Sequence, residues 1–187
     1  MARVDPAKSS IQTVDTGNGV EITIPAKLSI GVALFMTFWL CGWAVGLVAA
    51  GGRLLAGPAD TGATLFLMAW LGAWIVGGAW AMTALAWMLI GREIVRASIV
   101  ELQHVRRIGP FSLSREYEMA QIKRLRIFQG DAAAAAYGRY NVGGPFGGGT
   151  VAFDYGASTK RFGMGLDEAE AHMIVEALTK RFRNLVA

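Results

Sequence analysis

Residues 28–52 read LSIGVALFMTFWLCGWAVGLVAAGG, a run of 25 residues without a charged side chain. About 20 apolar residues in a helix are enough to cross the hydrocarbon core of a bilayer. A second uncharged run of 31 residues extends from 61 to 91. At about 1.5 Å per residue, a helix of that length exceeds the roughly 30 Å core and should tilt or project beyond it. The two runs predict two transmembrane helices.

The segment between the runs, residues 53–60, reads RLLAGPAD and contains the turn signal Gly57-Pro58. So short a link predicts an antiparallel hairpin. Basic residues flank the runs unevenly: Arg53 lies in the link, Arg3, Lys8 and Lys27 precede the first run, and Arg92, Arg96, Arg106 and Arg107 follow the second. Because Lys and Arg concentrate on the cytoplasmic side, we expect both termini to be cytoplasmic. The chain is thus expected to be a multi-pass membrane protein.

The composition agrees with a membrane protein. Of the 187 residues, 53% are hydrophobic and only 17% are charged, whereas soluble domains carry about 25% charge. The single cysteine, Cys41, excludes an intramolecular disulfide. Neither run contains an ionisable Asp, Glu, Lys, Arg or His. Ion and proton paths through membranes usually need such groups, so we do not expect transport by this chain alone.

Small and aromatic residues suggest how the helices pack. Gly42 and Gly46 form a G-x-x-x-G pair, which lets another backbone approach closely. Several Trp residues lie away from the membrane interfaces, where Trp normally concentrates. Packing within the hairpin explains them, and so does lateral contact with another protein or with a large pigment or quinone. The residues assigned to membrane helix packing are Gly42, Gly46, Trp39, Trp43, Trp70 and Trp74.

The N-terminal segment, residues 1–27, contains one short strand. Residues 20–24 read VEITI and alternate between apolar and polar side chains, which is typical of a strand. A lone strand is not stable in water. It should therefore pair with the C-terminal domain or with a partner, or else be disordered.

The C-terminal half, residues 92–187, changes to strand-like alternation. Gly109-Pro110 and Gly156 mark turns, and a loop is predicted over residues 129–149. Apolar residues then recur at helical spacing, with Asp167 and Glu168 at the start and basic residues at the end, where each charge is favoured. The pattern predicts five or six antiparallel strands closed by one amphipathic helix.

The order of these elements resembles a known family. The stretches REIVRASIVELQHVRRIGPFSLSREYEMAQIKRLRI (92–127) and FDYGASTKRFGMGLDEAEAHMIVEAL (153–178), after a helical hairpin at 28–91, resemble bacterial membrane proteins with a pleckstrin-homology-like (PH-like) domain. The resemblance implies an α+β membrane protein of the bacterial inner membrane, in which a PH-like antiparallel β-barrel or sandwich is capped by the C-terminal helix. That family includes scaffolding and assembly proteins, so the resemblance implies binding rather than catalysis.

No residue pattern for catalysis is present. The only histidines are His104 and His172, and no nucleophile–base pair or metal-ligand spacing accompanies them. We therefore predict a non-enzymatic protein without catalytic residues, metal site or cofactor. The C-terminal half carries 14 Lys and Arg against 10 Asp and Glu. This surplus is too small to predict a nucleic-acid partner.

Basic residues of the C-terminal half are candidates for contact with anionic lipid. Arg106 and Arg107 precede a turn and Arg115 follows it, an arrangement similar to a lipid-binding hairpin of PH domains. Lys123 and Arg124 lie on a second basic strip. Each basic group near an anionic leaflet contributes about 1 kcal/mol of attraction. The alternative is that these residues are ordinary solvated charges, since Lys and Arg are common on the cytoplasmic side of membrane proteins.

Two functions follow. The first is a non-enzymatic accessory, scaffold or assembly subunit of a bacterial membrane protein complex, photosynthetic or respiratory, whose partners are the bilayer and other membrane subunits. The second is a membrane-anchored module that binds anionic lipid headgroups. Co-purification with stoichiometric partners separates the two.

Overall fold

The computed structural model describes residues 11–57, 60–128, 148–182 and 185. They form an α+β protein with two long apolar helices, antiparallel sheets and a C-terminal helix. The chain divides into two compact units. The helical unit comprises Leu28–Leu89, and the β unit comprises Met1–Lys27 together with Ile90–Ala187.

The helical unit consists of helix α1 (Ile30–Leu55) and helix α2 (Thr61–Ile90). Helix α1 extends three residues beyond the predicted span, so Arg53 lies in its last turn rather than in the link. The Asp60 carboxylate accepts a 2.7 Å hydrogen bond from the Ala63 N–H and so caps the start of α2. Large apolar side chains are exposed along both helices. Both helices are long and apolar enough to span a membrane.

The larger sheet of the β unit contains five antiparallel strands in chain order. They are β1 (Gln12–Asp15), β2 (Gly19–Pro25), β3 (Gly91–Ser98), β4 (Glu101–Ile108) and β5 (Phe111–Glu118). The strand predicted at residues 20–24 is therefore present. Its partner is β3, with Val20 opposite Ala97 and Pro25 opposite Arg92. Of the three alternatives left open by the sequence, pairing with the C-terminal half is the one observed.

The smaller sheet contains β6 (Ile122–Ile127), β7 (Val151–Tyr155) and β8 (Ser158–Phe162), again in chain order. A short 3₁₀ turn, Met119–Gln121, joins β5 to β6. Most of the predicted loop, residues 129–147, lies outside the described residues. Six strands thus follow the helical unit within the described part of the chain, in agreement with the predicted five or six.

Helix α3 (Glu168–Arg181) closes the β unit, as predicted. Its first turn is a capping box. Asp167 Oδ1 accepts from the Glu170 N–H at 2.7 Å, and Glu170 Oε2 accepts from the Asp167 N–H at 3.0 Å. The same Glu170 oxygen lies 3.2 Å from Lys27 Nζ, which links α3 to the segment before α1.

One hydrophobic core joins both sheets and α3. Strand alternation places one face of β2, β3 and β4 in this core, to which β5 contributes Tyr117. Aromatic rings pack within it. The rings of Tyr117 and Phe153 meet edge to face with centroids 5.2 Å apart, and the centroids of Phe153 and Phe162 are 6.2 Å apart. The remaining core side chains are mainly aliphatic and include Ile22, Val95, Leu102, Val151, Ala171, Ile174 and Leu178. Burial of these apolar side chains is the main source of stability for the unit.

Candidate functional site

Two tryptophans join α1 and α2 in a reciprocal arrangement. Trp43 Nε1 donates a 3.1 Å hydrogen bond to the Trp74 carbonyl, and Trp74 Nε1 donates a 3.2 Å bond to the Trp43 carbonyl. Each ring lies over a glycine of the opposite helix. A Cβ on Gly78 would overlap the Trp43 ring, and a Cβ on Gly46 would lie 3.3 Å from Trp74 Cζ2. These residues therefore pack the two helices against each other.

The other predicted packing residues are placed differently. Nothing lies within 4 Å of the position that a Gly42 Cβ would occupy, so the space beside Gly42 is open. Trp39 is exposed, whereas the Trp70 ring contacts that of Trp74, tilted by 32° with ring centroids 4.2 Å apart. The two glycines of the G-x-x-x-G pair therefore have different surroundings. Gly46 is covered by a side chain of its own chain, so that Gly42 is the member of the pair that leaves room for another molecule.

The predicted basic residues of the larger sheet do not share one environment. Arg106 lies on the core face, largely buried, with its Nε 3.6 Å from Glu93 Oε1. Arg107 lies on the opposite face and is exposed, and its Nε donates to the Gly109 carbonyl at 2.9 Å. Arg115 is exposed on β5. Of the three residues, Arg107 and Arg115 are therefore the ones accessible to a ligand.

Lys123 and Arg124 lie on β6, in the smaller sheet. A bulge between Lys123 and Arg126 puts Arg124 at a φ of +48°, a conformation that non-glycine residues rarely adopt. Arg124 Nη2 lies 2.5 Å from Asp154 Oδ2, and Arg126 Nη2 lies 3.0 Å from Asp154 Oδ1. The hydrogen bond from Arg126, together with those charges and Thr159, lowers the pKa of Asp154 to about 2. Arg124 therefore already has an acidic partner.

Sequence reasoning missed a buried polar cluster around Glu93. This carboxylate is 1% exposed. Its Oε1 accepts from His104 Nε2, and its Oε2 accepts from the N–H groups of Gly163 and Met164 at 2.9 and 2.8 Å. Because an ionised carboxylate only accepts, Nε2 must carry the His104 proton. The signal was in the sequence: Glu93, Val95 and Ala97 alternate on one strand, which puts Glu93 on the apolar face.

Two opposing effects act on the Glu93 proton. Burial alone would raise the pKa of Glu93, because a charge is poorly solvated there. The hydrogen bond and charge of His104, the Met164 N–H and the Arg106 charge outweigh burial and lower that pKa below its ordinary value. The carboxylate therefore holds the turn between β8 and α3 against β3.

The two histidines of the chain lie in different environments. Glu93 and His104 face each other in the core, and His172 is exposed on α3. Across the residues that the structure describes, no three His, Cys, Asp or Glu side chains are grouped to hold a metal ion. No protein-family model matches the chain, and no curated protein matches it with significant similarity. Function is therefore inferred from the residues and their geometry.

Proposed function

We propose that the chain is a non-enzymatic accessory protein, a scaffold or assembly subunit of a bacterial membrane protein complex. In this proposal α1 and α2 span the inner membrane as a hairpin, and the β unit is a cytoplasmic PH-like module. The observation that carries it is the pairing of β2 with β3. These strands flank the helical hairpin in the sequence and are neighbours in one sheet.

That pairing supports the topology. Strand β2 ends at Pro25, before α1, and β3 begins at Gly91, directly after α2. Pro25 lies opposite Arg92 in the sheet, so the chain leaves and re-enters the β unit at one end. In this proposal the chain leaves the β unit through α1 and returns to it through α2, so the two helices cross the membrane in opposite directions. This supports termini on one side, and the distribution of Lys and Arg favours the cytoplasmic side.

The strand arrangement supports a PH-like module. Strands β2 to β5 form four consecutive antiparallel strands, β6 to β8 form three, and α3 completes the shared core. Strand β1 is an addition at the edge of the larger sheet. In this interpretation the helical hairpin is an insertion between the first and second strands of the module.

The exposed helices support the scaffold function. Their large apolar side chains need lipid or protein around them, because extended apolar surface in water is a liability. Association between helices in lipid relies on close packing, which small residues permit. Gly42 is open to such an approach, whereas Gly46 is covered by Trp74.

Headgroup binding, the other candidate function, has less support from the geometry. It would need the five predicted basic residues to act together. Arg106 instead faces Glu93 and Arg124 is paired with Asp154. Of the five, Arg107 and Arg115 remain exposed on opposite faces of the larger sheet, and Lys123 is exposed on the smaller sheet, so the accessible basic groups do not form one headgroup-binding pocket.

The test is affinity purification of the full chain from native membranes in a mild detergent. We expect stoichiometric partners with the wild-type chain and fewer with Gly42→Ile, because the larger side chain blocks close approach. Gly51→Ile is the matched control. It also has nothing within 4 Å, and nine residues, about two and a half turns, put it on the opposite side of α1. Purification without any stoichiometric partner would contradict the scaffold function.

A further inference from the structure

The turn between β4 and β5 carries two exposed apolar side chains. We call residues 108–113 the hairpin tip. Phe111 is 79% exposed and Leu113 is 55% exposed. By strand register both lie on the face that forms the core further along the sheet, since Leu113 is opposite Arg106 and Tyr117 is opposite Leu102. This part of the core face is therefore left uncovered by the β unit itself.

The hairpin tip lies at the end of the sheet where β3 begins. Ile108, the last residue of β4, is opposite Gly91, the first residue of β3. Gly91 directly follows Ile90, the last residue of α2. A Cβ on Gly109 would lie 3.4 Å from Ile90 Cδ1. The exposed apolar tip thus lies beside Ile90 and Gly91, where the chain enters the β unit.

Charge is distributed unevenly along β3, β4 and β5. Arg92 and Arg107 lie opposite each other near the hairpin tip. At the other end Glu101 is opposite Glu118, and Glu116 is nearby on β5. Within the described ranges no carboxylate forms an ion pair with Arg92 or Arg107. The end of the sheet where β3 begins is basic, and the far end is acidic.

We infer that the hairpin tip enters the headgroup layer of an anionic bilayer, with Phe111 and Leu113 at the acyl boundary and Arg92 and Arg107 among lipid phosphates. Phe111 and Leu113 lie on one face of the sheet and Arg92 and Arg107 on the other, and an apolar face backed by a basic face is the combination that binds membrane interfaces. Each Arg near the anionic surface adds attraction, whereas the acidic end would be repelled. The contact holds the β unit in one orientation on the membrane. It rests on the proposed insertion of α1 and α2.

Lipid-borne quenching of a fluorescent label tests this contact. The full chain, in a Cys41→Ser background, receives one cysteine at Leu113, Ile99 or Val45, and each is labelled with an environment-sensitive dye. The protein is reconstituted into vesicles of phosphatidylcholine and phosphatidylglycerol that contain a spin-labelled lipid. Ile99 is the matched control, because it is 80% exposed in the turn at the acidic end of the same strands. Val45, exposed on α1, reports helix insertion separately.

We expect quenching at Val45 and Leu113 and little at Ile99. Adding Phe111→Ser and Arg107→Glu should reduce quenching at Leu113 to the Ile99 level, whereas Val100→Ser should leave the Ile99 signal unchanged. Quenching at Val45 with equal signals at Leu113 and Ile99 would overturn the inference and leave the proposed insertion intact. A Leu113 label that is shielded from water but not quenched by lipid would assign the tip to a protein or a second copy instead. Absence of quenching at Val45 would overturn the insertion itself.

Discussion

Gly78 has no room for a side chain, whereas its neighbour Gly77 has nothing within 4 Å. We predict that Gly78→Ala destabilises the helical unit by about 1–3 kcal/mol, because its Cβ would displace the Trp43 ring. Displacement would also weaken the Trp43 bond to the Trp74 carbonyl. Gly77→Ala adds the same atom to the same helix and should be neutral or slightly stabilising. Thermal unfolding in detergent, followed by circular dichroism, measures both, and equal effects would contradict the packing of Trp43 on Gly78.

Glu93 is the buried charge on which the β8–α3 turn depends. We predict that Glu93→Gln destabilises the β unit by about 3 kcal/mol at neutral pH. The substituted amide would direct an N–H group at His104 or at the N–H groups of Gly163 and Met164, which are themselves donors. Glu101→Gln, on the exposed start of β4, is the control and should have little effect. Chemical unfolding monitored by circular dichroism measures the difference.

The Glu93 effect should depend on pH with a defined sign. Its pKa is lower in the folded chain than the ordinary value of 4.5. A carboxyl with a depressed folded pKa contributes its stability above the unfolded pKa, and that contribution disappears as pH falls through the folded pKa. The difference between wild type and Glu93→Gln should therefore be full above about pH 4.5 and shrink below it. A difference that grows with acidification would contradict this account.

At the scale of elements, β2 precedes the helical hairpin in the sequence, yet the β unit that follows the hairpin depends on it. Ile22 is fully buried on its core face, and Thr23 lies on the other face. We predict that Ile22→Ala costs about 2–5 kcal/mol through lost burial and the cavity left behind. Thr23→Ala should cost much less. The measurement is limited proteolysis of the full chain, followed as cleavage within residues 90–187. Equal protease resistance of the Ile22→Ala and Thr23→Ala variants would contradict a role of β2 in the core.

Sequence patterns predicted most elements because the patterns are local. The absence of charge over residues 28–52 and 61–91 depends only on the residues in each run, and α1 and α2 follow those runs closely. The alternation at residues 20–24 likewise predicted β2. The end of α1 was misjudged, because Arg53 looked like the start of a link. A cation near a helix C-terminus is favourable, so the helix includes it.

For the whole molecule, the proposed topology makes a direct prediction. Single cysteines at Ala56 and Ser158, in a Cys41→Ser background, should react differently with a membrane-impermeant maleimide in intact cells. Both positions are exposed. We expect labelling at position 56 and none at position 158 until the cells are permeabilised, since the β unit should be cytoplasmic. Labelling at position 158 in intact cells would contradict the topology.

Sequence alone was less informative for the candidate contacts. Gly42 and Gly46 have the same identity and a helical spacing, yet Trp74 covers one and not the other. Arg106 and Arg107 are adjacent, yet one points at Glu93 and the other is exposed. Strand alternation explains the second difference once the register is known. Which basic residue is available to a ligand depends on neighbours that come from other strands.

The sequence by itself determined two helices long and apolar enough for a membrane, the alternating strands and the final amphipathic helix. Each depends on composition or periodicity within a short window, where the side chains and their solvent are the only variables. Tertiary structure alone decided that β2 joins β3, that Trp43 and Trp74 exchange hydrogen bonds, and that Glu93 is buried among donors. These contacts join residues far apart in the chain, because a core or a sheet is completed by the surfaces that fit together and that pair most of its buried polar groups.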